Sequence, residues 1–369
     1  MRFALTEEQQ QLAGTVRAVL ARHSDSAAVR RAAASRKGYD ERLWSLLCEQ
    51  VGVSGLAIPE EYGGTGCSLV ETHVALEELG AALTPSPLLG SGVLAAQALL
   101  LSGDRAACRE LLPGIVDGGT IAALVWAGPD GPWPTAGVTA TERAGRWRLD
   151  GSGCLVLDGD SADLFLVAAD TGEGIGLFRA DPAGSDVHRR RTPAMDPTLR
   201  FASVSFDDAA ATPVHAGFGA VLPTLRDIAC TAVSALQVGA AQRCLDMTVG
   251  YAKERVQFGR PIGSFQALKH RMAEMLVWVE TARTASWAAA WAASRRDPDL
   301  PVRAATAKAW CSEALSAVAS EAVQMHGGVA ITWEHDAQLY FKRAHALSLL
   351  FGQPHEHRRR LFDLFGLAG

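Results

Sequence analysis

The chain has 369 residues, 48% hydrophobic and 20% charged, with 35 Lys and Arg against 40 Asp and Glu for a formal net charge of -5. That length suits two or three packed subdomains rather than one small core. The charge balance excludes the phosphate-neutralising stripe of a nucleic-acid binder, and no apolar run is long enough to span a bilayer.

Met1 to Gln11 has no apolar core of the signal-peptide kind. The cysteines at 48, 67, 108, 154, 230, 244 and 311 form no CxxC pair, and no His stands at metal-ligand spacing from them. They read as reduced thiols of a cytoplasmic protein without a metal site. The run Arg358-Arg359-Arg360 reads as a solvated helix face or a subunit contact.

The first third reads as helices. Thr6-Glu7-Glu8 is an N-cap with an acidic first turn, followed by Leu12, Val16, Val19 and Leu20 on one face. A second helix is predicted over roughly 40–50, then a Pro/Gly-rich loop, then helices at about 68–82, 89–103 and 106–117. Near residue 120 the period changes from 3.6 to 2. Short β-branched or aliphatic runs follow at 121–126, 137–142, 146–149, 154–157, 163–169, 175–179 and 201–206. Asp130-Gly131, Asp150-Gly151 and Asp158-Gly159 punctuate them as turns, which describes a small antiparallel barrel or sandwich. From about Pro213 the chain returns to helix, over 221–254, 264–296, 302–326 and 334–350. These runs are rich in Ala and Leu, as an antiparallel four-helix bundle requires. Trp287 and Trp291, four apart, read as core or subunit interface. The expected class is α+β, mainly α: a helical domain over 1–118, a small antiparallel β domain over 119–212 and a four-helix bundle over 213–369.

Five strings in this order resemble the acyl-CoA dehydrogenase family. They are Gly55-Leu56-Ala57-Ile58-Pro59-Glu60-Glu61-Tyr62-Gly63-Gly64, Glu77-Glu78-Leu79-Gly80, Asp196-Pro197-Thr198 before Phe206-Asp207, Arg255-Val256-Gln257-Phe258-Gly259 and Gln324-Met325-His326-Gly327-Gly328. The last two have a physical sense of their own. Arg255 offers a fork of donors suited to a pyrophosphate, with the Gln257 amide and the Phe258 ring beside it. Gln324 with Gly327 and Gly328 closes a long helix and bares backbone N–H groups, because no Cβ intervenes. The resemblance implies that these elements grip the ADP half of an FAD whose flavin ring lies in the neighbouring subunit, with Gln266 as a further contact. The alternative for Arg255 is a helix-end cation capping carbonyls.

The resemblance also implies a glutamate that removes the α-proton of an acyl-CoA thioester while the β-hydrogen leaves as hydride. In most members it lies 27 residues past the glutamine matching Gln324, which here falls on Phe351. In a minority it lies 22 residues before the tyrosine matching Tyr251, which falls on Ala229. Glu356 and Asp227 are the nearest carboxylates to those two positions. The family's Glu-Pro-x-x-Gly-Ser-Asp loop matches Gly128-Pro129-Asp130-Gly131-Pro132-Trp133, without a Ser, and its Trp-x-Thr matches Leu155-Val156-Leu157.

The elements for a neighbour's ADP group are thus kept while those for a flavin ring and a base are lost. This points to a subunit that completes the FAD site of a paralogous catalytic chain in an α2β2 tetramer, like the heteromeric actinobacterial dehydrogenases of steroid side-chain CoA esters. The alternatives are a self-sufficient homotetramer with a displaced base, a family-like flavin oxidase or monooxygenase, and a flavin-free binding protein. A base in the pocket separates the first of these from the others.

Overall fold

The computed structural model describes residues 5–128 and 136–367. The chain forms two compact units. One takes residues up to 29, 73–84 and 230 onward; the other takes 30–72 and 85–229.

In the first unit, α1 (Glu7–His23) starts at a capping box. The Thr6 hydroxyl accepts from Gln9 N at 3.2 Å, and Gln9 Oε1 accepts from Thr6 N at 3.0 Å. Helices α2 (Ser26–Ala34) and α4 (Leu69–Ala81) each lie partly in this unit, as does α7 (Leu222–Glu254). With α7 go α8 (Gln266–Arg295), α9 (Leu300–His326), α10 (Ala337–Leu349) and α11 (Pro354–Leu364). The expected bundle helices are all present, and α11 adds a short fifth. Their core combines Ala, Val and Leu from α7, α8, α9 and α10, among them Ala241, Val279, Val318 and Ala344. Small residues let backbones touch. A Cβ on Gly239 of α7 would fall on the Glu77 carbonyl of α4, and one on Gly80 would fall on the Leu236 carbonyl.

The second unit holds α3 (Glu41–Leu46), which runs on as a π-helical turn over Leu47–Val51. A second π-helical stretch, Leu88–Ala95, leads into α5 (Ala96–Ser102), followed by α6 (Arg105–Val116). The strands are β1 (Ala122–Val125), β2 (Val138–Arg143), β3 (Arg146–Leu157), β4 (Leu164–Asp170), β5 (Ile175–Ala180), β6 (Val187–Thr192) and β7 (Phe201–His215). They pair in the order β1-β4-β2-β3-β7-β5, and β5 also pairs with β4, which closes the sheet into the expected small barrel. Most pairs are antiparallel, but β1 and β2 both meet β4 in parallel. The runs 146–149 and 154–157 are one strand, bent by register shifts at Leu149/Gly151 and Gly153/Val156. Phe165, Phe178 and Phe206 fill its core. Sequence reading missed β6, whose Val-His-Arg-Arg-Arg-Thr has no apolar alternation; its register on β7 makes it a strand.

Among the described residues no helix is long and apolar enough to cross a membrane, and no group of His, Cys, Asp or Glu is placed to hold a metal. The seven cysteines are free.

Candidate functional site

Arg255 leaves the last turn of α7, its N–H bonded to Tyr251 O at 2.9 Å, and its carbonyl accepts from Ile262 N at 2.8 Å. The chain between them is a two-stranded hairpin in which Val256 faces Pro261 and Gln257 faces Arg260. Its turn residues, Phe258 and Gly259, both have positive φ, at 53° and 75°. This is the mirror-image turn that matches strand twist, but Phe258 occupies a backbone region that favours Gly. The Phe258 ring is 91% exposed and touches Phe265 edge-on at 6.1 Å, while Arg260 stacks over Phe265 at 4.1 Å. Gln257 turns its amide onto Val256 O at 3.0 Å. Arg255 is exposed, and no carboxylate among the described residues pairs with it. Gln266, the first residue of α8, is exposed as well.

The second string lies at the end of α9. Gln324, Gly327 and Gly328 are exposed, and a Cβ added at either glycine would meet nothing within 4 Å. Gly327 adopts φ 63°, ψ -143°. The two strings meet through rings: Tyr251, one turn before Arg255, stacks on His326 at 4.5 Å and 27°. His335 closes on the other ring contact of His326 at 4.7 Å. Sequence reading treated His326 only as part of a glycine string.

The first base position, Phe351, is 1% exposed and sits in a turn with φ 62°, followed by Gly352 at φ 104°. That turn is tied from three sides. Buried Lys308 donates to Ser348 O at 3.1 Å, Gly352 O at 2.8 Å and Ser312 Oγ at 3.2 Å. The His357 ring and the Cys230 thiol reach Phe351 O at 3.0 and 3.9 Å. Burial pushes the Lys308 amine down to about 8. Glu356 spends its carboxylate on the Gln353 N–H at 2.6 Å, in the capping box of α11. The second base position, Ala229, is buried, and Asp227 on the same helix is 1% exposed.

In the barrel unit Val156 and Leu157 are buried and Leu155 is half-exposed with φ 51°. Of the loop Gly128-Pro129-Asp130-Gly131-Pro132-Trp133, all but Gly128 lies outside the described residues, as does the Asp130-Gly131 turn. Asp158, which the sequence offered only as a turn residue, is buried. Desolvation first, then neighbouring Asp160, pushes its carboxyl up to about 8, against a smaller pull from Arg200. A cleft of about 830 Å³ in the helical unit contains none of the site residues named from sequence. It carries the ion pairs Arg17–Glu78 and Arg283–Glu77.

Residues 6–119 match the N-terminal domain of acyl-CoA dehydrogenases and residues 216–362 match their C-terminal domain. The chain belongs to the acyl-CoA dehydrogenase family. It is 45% identical over 360 residues to the acyl-CoA dehydrogenase IpdE2 of Mycolicibacterium smegmatis, covering 97% of this chain and 98% of that one. It is 44% identical to IpdE2 of Mycobacterium tuberculosis, covering 96% of each. Two solved structures of the family share the fold over nearly all of both chains. The Tcur3481–Tcur3483 steroid acyl-CoA dehydrogenase, solved as a variant, is 32% identical with a TM-score of 0.90, covering 98% of this chain and 99% of that one. The ChsE4–ChsE5 complex of Mycobacterium tuberculosis is 29% identical with a TM-score of 0.91, covering 100% of each.

Proposed function

We propose that this chain is the cofactor-completing subunit of a two-chain, FAD-dependent acyl-CoA dehydrogenase. It presents Arg255, Gln257, Phe258, Gln266, Gln324, Gly327 and Gly328 to the ADP group of an FAD shared with a catalytic partner, in an α2β2 tetramer within the cytoplasm. The acyl group is of the steroid-derived kind, a reading supported by the likeness to a steroid acyl-CoA dehydrogenase.

The observation that carries this is the contrast between the two halves of the site. The exposed Arg255 guanidinium suits a pyrophosphate, and no side chain stands in the way of one at 327–328, although the Gly327 N–H itself is spent on Val323 O and Gln324 O as the cap of α9. The base position holds a buried phenylalanine in a clamped turn, and Glu356 is committed to a helix cap. Leu155 and Leu157 offer no hydroxyl to a flavin ring. Bound FAD supplies the acceptor for the substrate's β-hydrogen. This chain's residues bind and orient its phosphates, and the proton is taken by the partner's carboxylate. Phe258 gives the reading a second support, because a strained, solvent-facing aromatic belongs to a contact that another subunit covers.

The deciding measurement is FAD per chain in the protein purified alone and co-purified with the partner chain. Half the usual flavin in an active complex, and none in the lone chain, is expected. Full flavin and turnover in the lone chain supports instead a self-sufficient homotetramer. That second reading draws on buried Asp227, a carboxylate two residues from the alternative base position.

A further inference from the structure

We propose that His73, Ser286 and Ser234 form a latch that holds α4 against α8 and α7 only while the His73 ring is neutral, so that mild acid releases this edge of the helical unit.

The three residues come from three helices, His73 from α4, Ser286 from α8 and Ser234 from α7, and all lie in the first unit. None is more than 2% exposed. His73 Nε2 lies 3.0 Å from Ser286 Oγ, which lies 2.7 Å from Ser234 Oγ, and Ser234 Oγ lies 2.7 Å from Thr231 O. A carbonyl only accepts, and that sets the direction of the whole chain. Ser234 donates its one hydrogen to Thr231 O, so Ser286 donates to Ser234 and accepts in turn from His73. Nε2 therefore carries the hydrogen and Nδ1 is bare, with no partner among the described residues. The reverse direction makes one bond fewer and buries an N–H without an acceptor. The ring also rests edge-on against Trp287 at 5.6 Å.

A second proton has no place here. It would enter at Nδ1, where nothing accepts a hydrogen bond, and it would charge a ring buried from solvent. The charged groups nearby answer one another. Glu77, one turn along α4, pairs with Arg283 of α8, and Glu78 pairs with Arg17 of α1. Where α7 meets this part of α4 it presents Leu236 and Gly239, which carry no charge. From α9 come the Cys311 thiol, which burial pushes up, and beyond it the Lys308 ammonium, bonded to its own turn. No carboxylate is left to stabilise an imidazolium, and desolvation alone lowers the ring to about 3 from an ordinary 6.5.

The sign of the effect follows. A released ring takes up a proton below 6.5, whereas the docked ring refuses it down to about 3. The latch's contribution to stability is complete above pH 6.5 and is lost as pH falls through that window. Burial raises the Glu77 carboxyl, so its titration works in the opposite sense and leaves His73 as the acid-sensitive tie. Glu77, Ala81 and Leu83, further along the same segment, form one wall of the 830 Å³ cleft, which opens when that segment lifts.

The test is urea unfolding of the full chain, alone or in the complex it isolates with, from pH 7.5 to pH 5. It is run beside His73→Phe, which keeps a ring against Trp287 and cannot titrate. Relative to that variant, the unfolding equilibrium of wild type should rise about thirtyfold over the range, as uptake of one proton on unfolding requires. Hydrogen exchange should show the amides from His73 to Ala81 losing protection at pH 5 before those of α9, in wild type only. If His73→Phe does not fold, the imidazole signals of wild type carry the test. Their ¹⁵N shifts should show Nε2 protonated and Nδ1 bare at pH 7.5, and no protonation of the folded ring down to pH 5. A constant gap between wild type and variant, a folded His73 ring that protonates near pH 6.5, or loss of protection in α4 and α9 together overturns the latch.

Discussion

The ammonium of Lys308, on α9, donates to Gly352 O at 2.8 Å and also to Ser348 O, so one buried cation holds both ends of the turn that carries Phe351. Lys308→Met removes a charge that is costly to bury but leaves two carbonyls without a donor. A net loss of about 1–3 kcal/mol at pH 7 is expected from urea unfolding. The pH dependence has a definite sign. Burial lowers the folded pKa to about 8 from an ordinary 10.5. Between those values the unfolded chain holds more protons, so this residue's contribution to stability rises with pH. The gap between wild type and Lys308→Met should therefore widen from pH 7 to pH 10. A gap that stays constant contradicts a depressed amine.

Asp158 gives the opposite slope. Its folded pKa, raised to about 8, exceeds the ordinary 3.8, so the folded chain holds the extra proton and stability is lost as pH climbs through that window. Asp158→Asn keeps the shape and never ionises. Its melting temperature should match wild type only below about pH 3.8 and pull progressively above it as pH rises to 8.5. Arg200→Ala should lower wild-type stability independently, because Arg200 bonds Asp160 at 2.9 Å and the Ser35 carbonyl at 3.2 Å.

Gly239→Ala tests the close approach of α4 and α7. Its new methyl falls on the Glu77 carbonyl, which belongs to a helix backbone and has nowhere to go. Overpacking of this kind costs about 1–3 kcal/mol and often more. A fall of several degrees in melting temperature is expected, whereas Gly250→Ala, with open space at its Cβ, should leave it unchanged or raise it.

Arg255→Ala should release FAD from the complex at least about tenfold more readily, since a charge-assisted contact is worth about 1.5–3 kcal/mol. Helix content by circular dichroism should not change. Unaltered flavin occupancy would return Arg255 to the role of a helix-end cation.

Glu356→Gln should leave both stability and the dye-linked turnover of the complex close to wild type. Glutamine can still accept from the Gln353 N–H as the third residue of the capping box. Asp227→Asn should likewise spare turnover if the working carboxylate is the partner's. Abolished activity in either would place the base in this chain.

Much of this was legible in the residues, and the gaps have physical causes. Ala-rich runs with few breakers marked α7, α8 and α9, and the change of period near residue 120 marked the barrel. β6 escaped because three arginines carry no hydropathy alternation, and only its hydrogen-bonded register with β7 defines it. The π-helical turns at 47–51 and 88–95 read as ordinary helix, since an extra residue in a turn leaves no compositional trace. Nothing in the sequence singles out Lys308. What buries it is a turn some forty positions later, and a still longer separation hides the stacking of His326 on Tyr251.

Phe258 and other exposed apolar side chains bear on how the protein is produced. Val256, Ile331 and Trp333 join Phe258 in showing more than half their surface to water. A copy left without its assembly carries these greasy side chains unshielded, and such surfaces draw chains into aggregates. On the two-chain reading proposed above, surplus production of this chain is wasted or harmful, and selection should favour matched synthesis of both chains. Expressed singly from a strong promoter, it should go into inclusion bodies far more than when its partner is made alongside.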